Sequence, residues 1–156
     1  MGEILISGPN VIHGYWNQPE ATAEAITDGW FHSGDLGFRD EQGFLTVADR
    51  AKDMFVSGGE NVYPAEVERV IMELPEVASV AVIGVPDERW GEVGRAIVIP
   101  APGATVTHEV IARHLDGRLA RYKIPKSTVV VGDLPRTASG KVRKRELRDQ
   151  FGADRL

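Results

Sequence analysis

Between Ala48 and Glu68 the chain reads ADRAKDMFVSGGENVYPAEVE, and this stretch separates two bodies of different character. Asp49, Arg50, Lys52 and Asp53 form a short charged segment that is costly to bury. Residues 54–56 then read as an apolar strand, Gly58-Gly59 as a turn open to positive φ, and residues 61–63 as the returning strand. Pro64 opens a helix at its first position. Val67, Val70, Ile71 and Leu74 recur at i, i+3, i+4 and i+7, which sets one apolar stripe against a core. The stretch reads as a hinge followed by the start of a new domain.

Upstream of it the pattern is β structure with one short helix. Residues 3–7 form a strand ended by Gly8-Pro9, and residues 19–26 form a helix with a proline start. Asp28-Gly29 is a turn, residues 30–32 a strand, and Ser33-Gly34-Asp35 a second turn. Residues 36–39 and 44–47 pair as a hairpin around residues 40–43. Such a segment is too short to be a domain. Residues 1–49 are therefore expected to be the C-terminal, barrel-like end of a larger upstream body.

Downstream, residues 50–156 read as a small α+β domain. The β-branched run at residues 77–85 is expected as a central strand buried on both faces, followed by a surface loop at 86–91 and a neighbouring strand at 95–99. Thr107 caps a helix that buries Ile111, Leu115 and Leu119 and is broken at residues 122–125. A third strand at 128–131 and a terminal helix complete a mixed sheet with helices packed across it.

Composition narrows the function classes. The chain has 156 residues, 42% hydrophobic and 26% charged, which describes a globular protein with no membrane-spanning run and no signal-peptide pattern. Its default location is cytoplasmic. Zero cysteines exclude a disulfide framework and a thiolate nucleophile, and a net charge of −5 argues against a dedicated nucleic-acid binder. The four histidines, at 13, 32, 108 and 114, show no metal-ligand spacing, so no metal site is assigned.

Two regions offer chemistry. Asp35 on a turn can accept hydrogen bonds from both hydroxyls of a ribose, or it can bond its own backbone; Arg50 can be a solvated charge beside Asp49. Gly140-Lys141 is not a phosphate-binding Walker sequence, because Pro135 and Val142 stand where that pattern needs Gly and Ser or Thr. Thr137, Ser139 and Gly140 instead form a flexible polar loop that can carry a lysine ammonium. Arg136, Lys141, Arg143, Lys144, Arg145 and Arg148, with Glu146 as the nearby acid, leave three readings open: a solvated basic face, a nucleic-acid patch, or a source of catalytic charge. No aromatic residues interleave with them, which disfavours nucleic acid.

Three motifs in order resemble the C-terminal part of adenylate-forming enzymes, the group of acyl-CoA synthetases, peptide-synthetase adenylation domains and luciferases. They are GWFHSGDLG at residues 29–37, DRAKD at 49–53 with GGEN at 58–61, and PRTASGK at 135–141. The flavour is that of fatty-acyl and aryl-CoA ligases, and the match covers nearly the whole chain.

The resemblance implies a reaction and roles. A carboxylic acid and ATP would give acyl-AMP, then a thioester with CoA, the acid being first a medium- or long-chain fatty acid and second an aryl acid. Lys141 would be the catalytic lysine of adenylation, Asp35 and Arg50 the ribose contacts, and Lys52 the hinge residue. Gly58, Gly59 and Glu60 would line the CoA channel. Mg2+, the phosphate loop and the acyl pocket would belong to an upstream large adenylation domain, leaving this chain inactive alone. Lys141, on an exposed loop, is also available for acylation that would remove its charge. The alternative is a stand-alone, non-catalytic module that binds nucleotide, CoA or a carrier protein.

Overall fold

In the computed structural model, which describes residues 1–152, strand β3 (Trp30–Arg39) is the hub of a first unit, Met1–Lys52. Residues 153–156, the end of the expected 50–156 domain, lie outside the described residues. β1 (Gly2–Ile6) runs antiparallel along one edge of β3; β2 (Ile26–Thr27) and then β4 (Leu45–Arg50) run antiparallel along the other. Asp40 closes the β3–β4 hairpin, its Oδ1 accepting the N–H groups of Gln42 at 3.0 Å and Phe44 at 2.8 Å. Helix α1 (Pro19–Ala25) starts on the expected proline. Among the described residues, no apolar side chain of this unit is fully buried, and Phe44, Leu45 and Val47 stay 67%, 54% and 59% exposed. A lone sheet with one short helix has no second layer to close a core.

The second unit, Asp53–Leu156, is built around a mixed five-stranded sheet. β5 (Phe55–Ser57) and β6 (Glu60–Val62) form the tight hairpin around Gly58-Gly59, with φ of 61° and 86° at the two glycines. Only residues tolerant of positive φ at both central positions close a two-residue hairpin of this twist. α2 (Pro64–Ile71) follows, then β7 (Val77–Asp87), β8 (Gly91–Pro100), α3 (His108–Leu115), β9 (Ser127–Val130) and α4 (Lys144–Phe151). α2 and α3 cover one face, where Val67, Ile71, Val82, Val98, Ile111 and Leu115 meet. α4 covers the other, with Leu147 and Leu134 against Ala81, Ile83, Val93 and Ile97. The alternation of β7 between the two cores is the period of a strand buried on both sides.

Three expectations are corrected here. The central strand is β8, not the run at residues 77–85: β8 pairs with β7, β9 and β5, whereas β7 pairs with β8 alone. β7 is apolar from Val80 to Val85, where both faces are covered, and its outer edge is closed by side chains rather than a strand. Glu68 Oε1 accepts the Val82 N–H at 2.7 Å, and Pro86 has no N–H to leave open. The expected loop at 86–91 is cut to a turn at residues 88–90, since β7 runs to Asp87 and β8 starts at Gly91. Finally, α3 ends at Leu115, ahead of the expected break, and Gly117, with φ of 74°, turns the chain away.

Strand β5 packs on glycines that face each other in register. Gly84 pairs with Gly94, and the Phe55 side chain lies across both. A Cβ on Gly84 would stand 2.5 Å from Phe55 Cβ and 2.7 Å from its Cγ. Phe55 is 3% exposed and has no free volume to retreat into. Gly84→Ala is expected to cost about 1–3 kcal/mol by overpacking, seen as a lower urea midpoint with unchanged slope. A midpoint equal to wild type would mean that Phe55 is not held there.

Candidate functional site

Asp35 does not lie on a turn. It belongs to β3, where Ser33-Gly34-Asp35 stand opposite Ile4 alone: Leu5 pairs with His32 and Glu3 with Leu36. This is a bulge, and Gly34 supplies its positive φ of 70°. Ser33 Oγ donates to Ile4 O at 2.7 Å and accepts the Asp35 N–H at 3.0 Å. Glu3 accepts the Gly34 N–H on Oε1 at 3.0 Å and meets His32 Nδ1 with Oε2 at 2.9 Å. The bulge turns Asp35 toward Arg50, its partner across β4, and Arg50 Nε donates to Asp35 Oδ1 at 3.0 Å. The pair is open to solvent, Arg50 at 65% and Asp35 at 38%, so both groups remain accessible to a ligand. Asp49, by contrast, is buried and accepts the Arg50 N–H on Oδ1 at 2.8 Å.

A cleft of about 530 Å³ opens beside this bulge within the first unit, lined by Glu3, His32, Ser33, Gly34, Arg50 and Lys52 together with Tyr15, Glu24 and Phe31. Lys52 is exposed and is the last residue of the unit. The structure thus brings Asp35 and Arg50 together and puts Lys52 with Arg50 on one cleft wall.

The Glu3–His32 pair is invisible in the sequence, because 29 residues separate the two and only the register of β1 on β3 joins them. The His32 hydrogen bond first, and the Gly34 N–H second, hold the Glu3 carboxyl below its ordinary value of 4.5. A carboxyl depressed in the folded state adds stability above its unfolded titration point and loses it as pH falls through the folded one. The bulge is therefore expected to loosen in acid, below pH 4.5. Amide exchange at Gly34, corrected for its intrinsic rate, would report this, and Glu3→Gln is expected to flatten the dependence. A Gly34 protection factor independent of pH in the wild type would contradict it.

In the second unit the remaining residues stand on two separate hairpins. At the β5–β6 turn, Gly58 N donates to Trp90 O at 2.9 Å, and the Trp90 ring occupies the space a Gly58 Cβ would need, at 2.7 Å. Gly59 has open space on its Cβ side and is constrained by its φ of 86° alone; Glu60 is exposed. Trp90 was expected in a plain surface loop. It instead braces this turn, with the Arg89 guanidinium 4.9 Å above its ring, and Asp87 Oδ1 holds the Arg89 and Trp90 N–H groups at 2.9 Å each.

The loop before α4 is a closed hairpin rather than a flexible tether. Arg136 bridges Val142 antiparallel, Thr137 N donates to Lys141 O at 2.8 Å, and Gly140 N donates to Thr137 O at 2.9 Å. Lys141 is exposed, and its ammonium has no partner among the described residues. Its cationic neighbours are mostly engaged. Arg143 meets Glu146 at 2.7 Å, Lys144 meets Glu68 at 2.8 Å, and Arg148 meets Asp53 at 3.2 Å. Glu68 and Asp53, far away in sequence, supply the acids that local reading missed, and the bare basic face expected there is largely neutralised. Among the described residues no group of three His, Asp or Glu side chains could hold a metal ion, and no helix is long and apolar enough to cross a membrane.

Known proteins are similar to this chain in sequence and fold. Residues 66–141 match the model of the AMP-binding enzyme C-terminal domain. A feruloyl-CoA synthase of an Amycolatopsis species is 56% identical over 151 residues, 97% of this chain and 31% of that protein. The long-chain-fatty-acid–CoA ligase FadD13 of Mycobacterium tuberculosis is 49% identical over 152 residues, 97% of this chain and 30% of that protein. The o-succinylbenzoate CoA synthetase of Bacillus subtilis, solved with its acyl-adenylate intermediate, superimposes with a TM-score of 0.89 at 41% identity, over 98% of this chain and 31% of that one. The chain spans about three-tenths of the length of the relatives it matches. Residues 66–141 are an AMP-binding enzyme C-terminal domain, and the chain is homologous to the C-terminal part of acyl-CoA ligases.

Proposed function

We propose that this chain is the C-terminal part of an ATP-dependent acyl-CoA ligase. A carboxylate oxygen attacks the α-phosphorus of ATP and pyrophosphate leaves; the CoA thiol then attacks the acyl carbonyl and AMP leaves. Residues 1–49 form the end of the large adenylation domain and residues 50–156 its mobile lid, with Lys52 as the pivot. The observation that carries this reading is Lys141: a fixed backbone presents an ammonium with no partner among the described residues, which is what a donor for developing phosphoryl charge requires. Asp35 and Arg50, adjacent and accessible, are proposed to hold the ribose. In the second orientation of the lid, Gly58, Gly59 and Glu60 would line the thiol channel, and the open space at Gly59 supports that role. Mg2+ would assist by neutralising phosphate charge; we assign it no ligand among the described residues.

The acid is proposed to be a medium- or long-chain fatty acid, as the name of the mycobacterial relative suggests, with aryl acids as the competing class favoured by the feruloyl relative. ATP and CoA as substrates support a cytoplasmic setting. The test is AMP release by the purified chain given ATP, CoA and acids from acetate to palmitate and ferulate. No release is expected, and activity is expected to appear on adding a separately expressed large domain. Turnover by the chain alone would mean that it holds a complete nucleotide site, which contradicts the lid reading.

A further inference from the structure

The peptide joining Gly140 to Lys141 is held at both of its polar atoms. Arg136 Nη1 donates to Gly140 O at 2.9 Å, and Lys141 N donates to Thr137 Oγ1 at 3.1 Å. The next carbonyl, Lys141 O, accepts the Thr137 N–H at 2.8 Å. The other arm of the same guanidinium, Arg136 Nη2, donates to Ser79 Oγ on β7 at 2.9 Å, and Ser79 is in register with Ile99 of the central strand. One planar fork therefore ties the tip of the hairpin to the sheet. A lysine ammonium, a point donor on a flexible stem, cannot reproduce that two-point geometry.

We propose that Arg136 is a positioning residue for Lys141, setting where the free ammonium points when the lid presents it to the nucleotide. It rests on the reading of Lys141 as the adenylation lysine. One N–H of each Nη of Arg136 is held by a protein acceptor, which fixes the plane of the guanidinium, and its proposed contribution is geometric rather than a second charge on the phosphate. Positioning of this kind affects kcat, because an ammonium displaced by a fraction of an ångström still meets the ground state but misses the developing charge.

The experiment measures both half-reactions in the ligase that carries this chain, for Arg136→Met, Arg136→Lys, Ser79→Ala and, as reference, Lys141→Ala. Arg136→Met and Arg136→Lys are each expected to lower kcat of acyl-adenylate formation about tenfold, with KM for ATP and thioester formation from pre-made acyl-AMP within about twofold of wild type. Ser79→Ala, which removes only the far anchor, is expected to lower the same step about threefold. Full activity of Arg136→Lys would overturn the proposal in favour of a simple charge. Equal loss in both half-reactions, or an unaffected Arg136→Met, would overturn it too, leaving the role of Lys141 standing if Lys141→Ala is selectively inactive. If Lys141→Ala itself adenylates normally, the underlying reading fails and the proposal with it.

Discussion

Lys141→Ala is expected to lower acyl-adenylate formation by about 10²–10³, equivalent to about 3–4 kcal/mol of transition-state stabilisation. The same variant is expected to convert pre-made acyl-AMP and CoA to thioester at close to the wild-type rate. The selectivity follows from what the residue offers. Its backbone is fixed by Thr137 and by the bridge between Arg136 and Val142, whereas its ammonium has no internal partner among the described residues. Removing it leaves no buried group unsatisfied, so no folding cost spreads to the second half-reaction. During adenylation two anions must approach each other and charge builds on the phosphoryl oxygens, where a positioned cation acts most strongly. In thioester formation AMP is the leaving group, and in the proposed second orientation Lys141 has turned away. Separate assays of pyrophosphate release and of thioester formation measure the split, and equal losses would remove the assignment.

Lys52→Pro is expected to abolish overall turnover while sparing one half-reaction. Lys52 is exposed and lies between two anchored neighbours. Ala51 N donates to Gly34 O at 2.8 Å, and the Asp53 carboxylate is held by both Nη atoms of Arg148 at 3.2 Å. Rotation concentrated at a single residue needs its φ and ψ free, and neither of these anchors involves an atom of Lys52, the proposed pivot. Proline fixes φ near −65° and biases the preceding residue toward extended backbone. One lid orientation would then be trapped, with a loss of about 10² or more in the step that requires the other. Full turnover in Lys52→Pro would place the pivot elsewhere.

What the sequence made legible is what local chemistry dictates. Gly58-Gly59 between two short strands admits one tight hairpin, Pro64 with its apolar stripe admits one helix, and Thr107 caps α3 through its Oγ1 to Val110 N at 3.4 Å. Errors arose where a partner distant in sequence decides. The run at residues 77–85 looks central because both faces are buried, yet its edge is closed by Glu68, a residue of α2. Asp35 looked like a turn residue because Ser33-Gly34-Asp35 is turn chemistry; Glu3 and Ile4 of β1 convert that triplet into a bulge. The loop at 137–140 reads as flexible because its residues are small and polar, whereas the Arg136–Val142 bridge and the fork of Arg136 between Gly140 and Ser79 close it. In each case composition was read correctly and register was not available.

The most direct test of the proposed role is a graft. The matching 151-residue segment of the Amycolatopsis feruloyl-CoA synthase would be replaced by this chain, and feruloyl-CoA formation from ferulate, ATP and CoA followed. The predicted result is ATP- and CoA-dependent product that disappears with Lys141→Ala in the grafted segment. A folded graft that forms no feruloyl-adenylate, or one whose activity survives Lys141→Ala, would contradict the assignment of this chain as the lid that supplies the adenylation lysine.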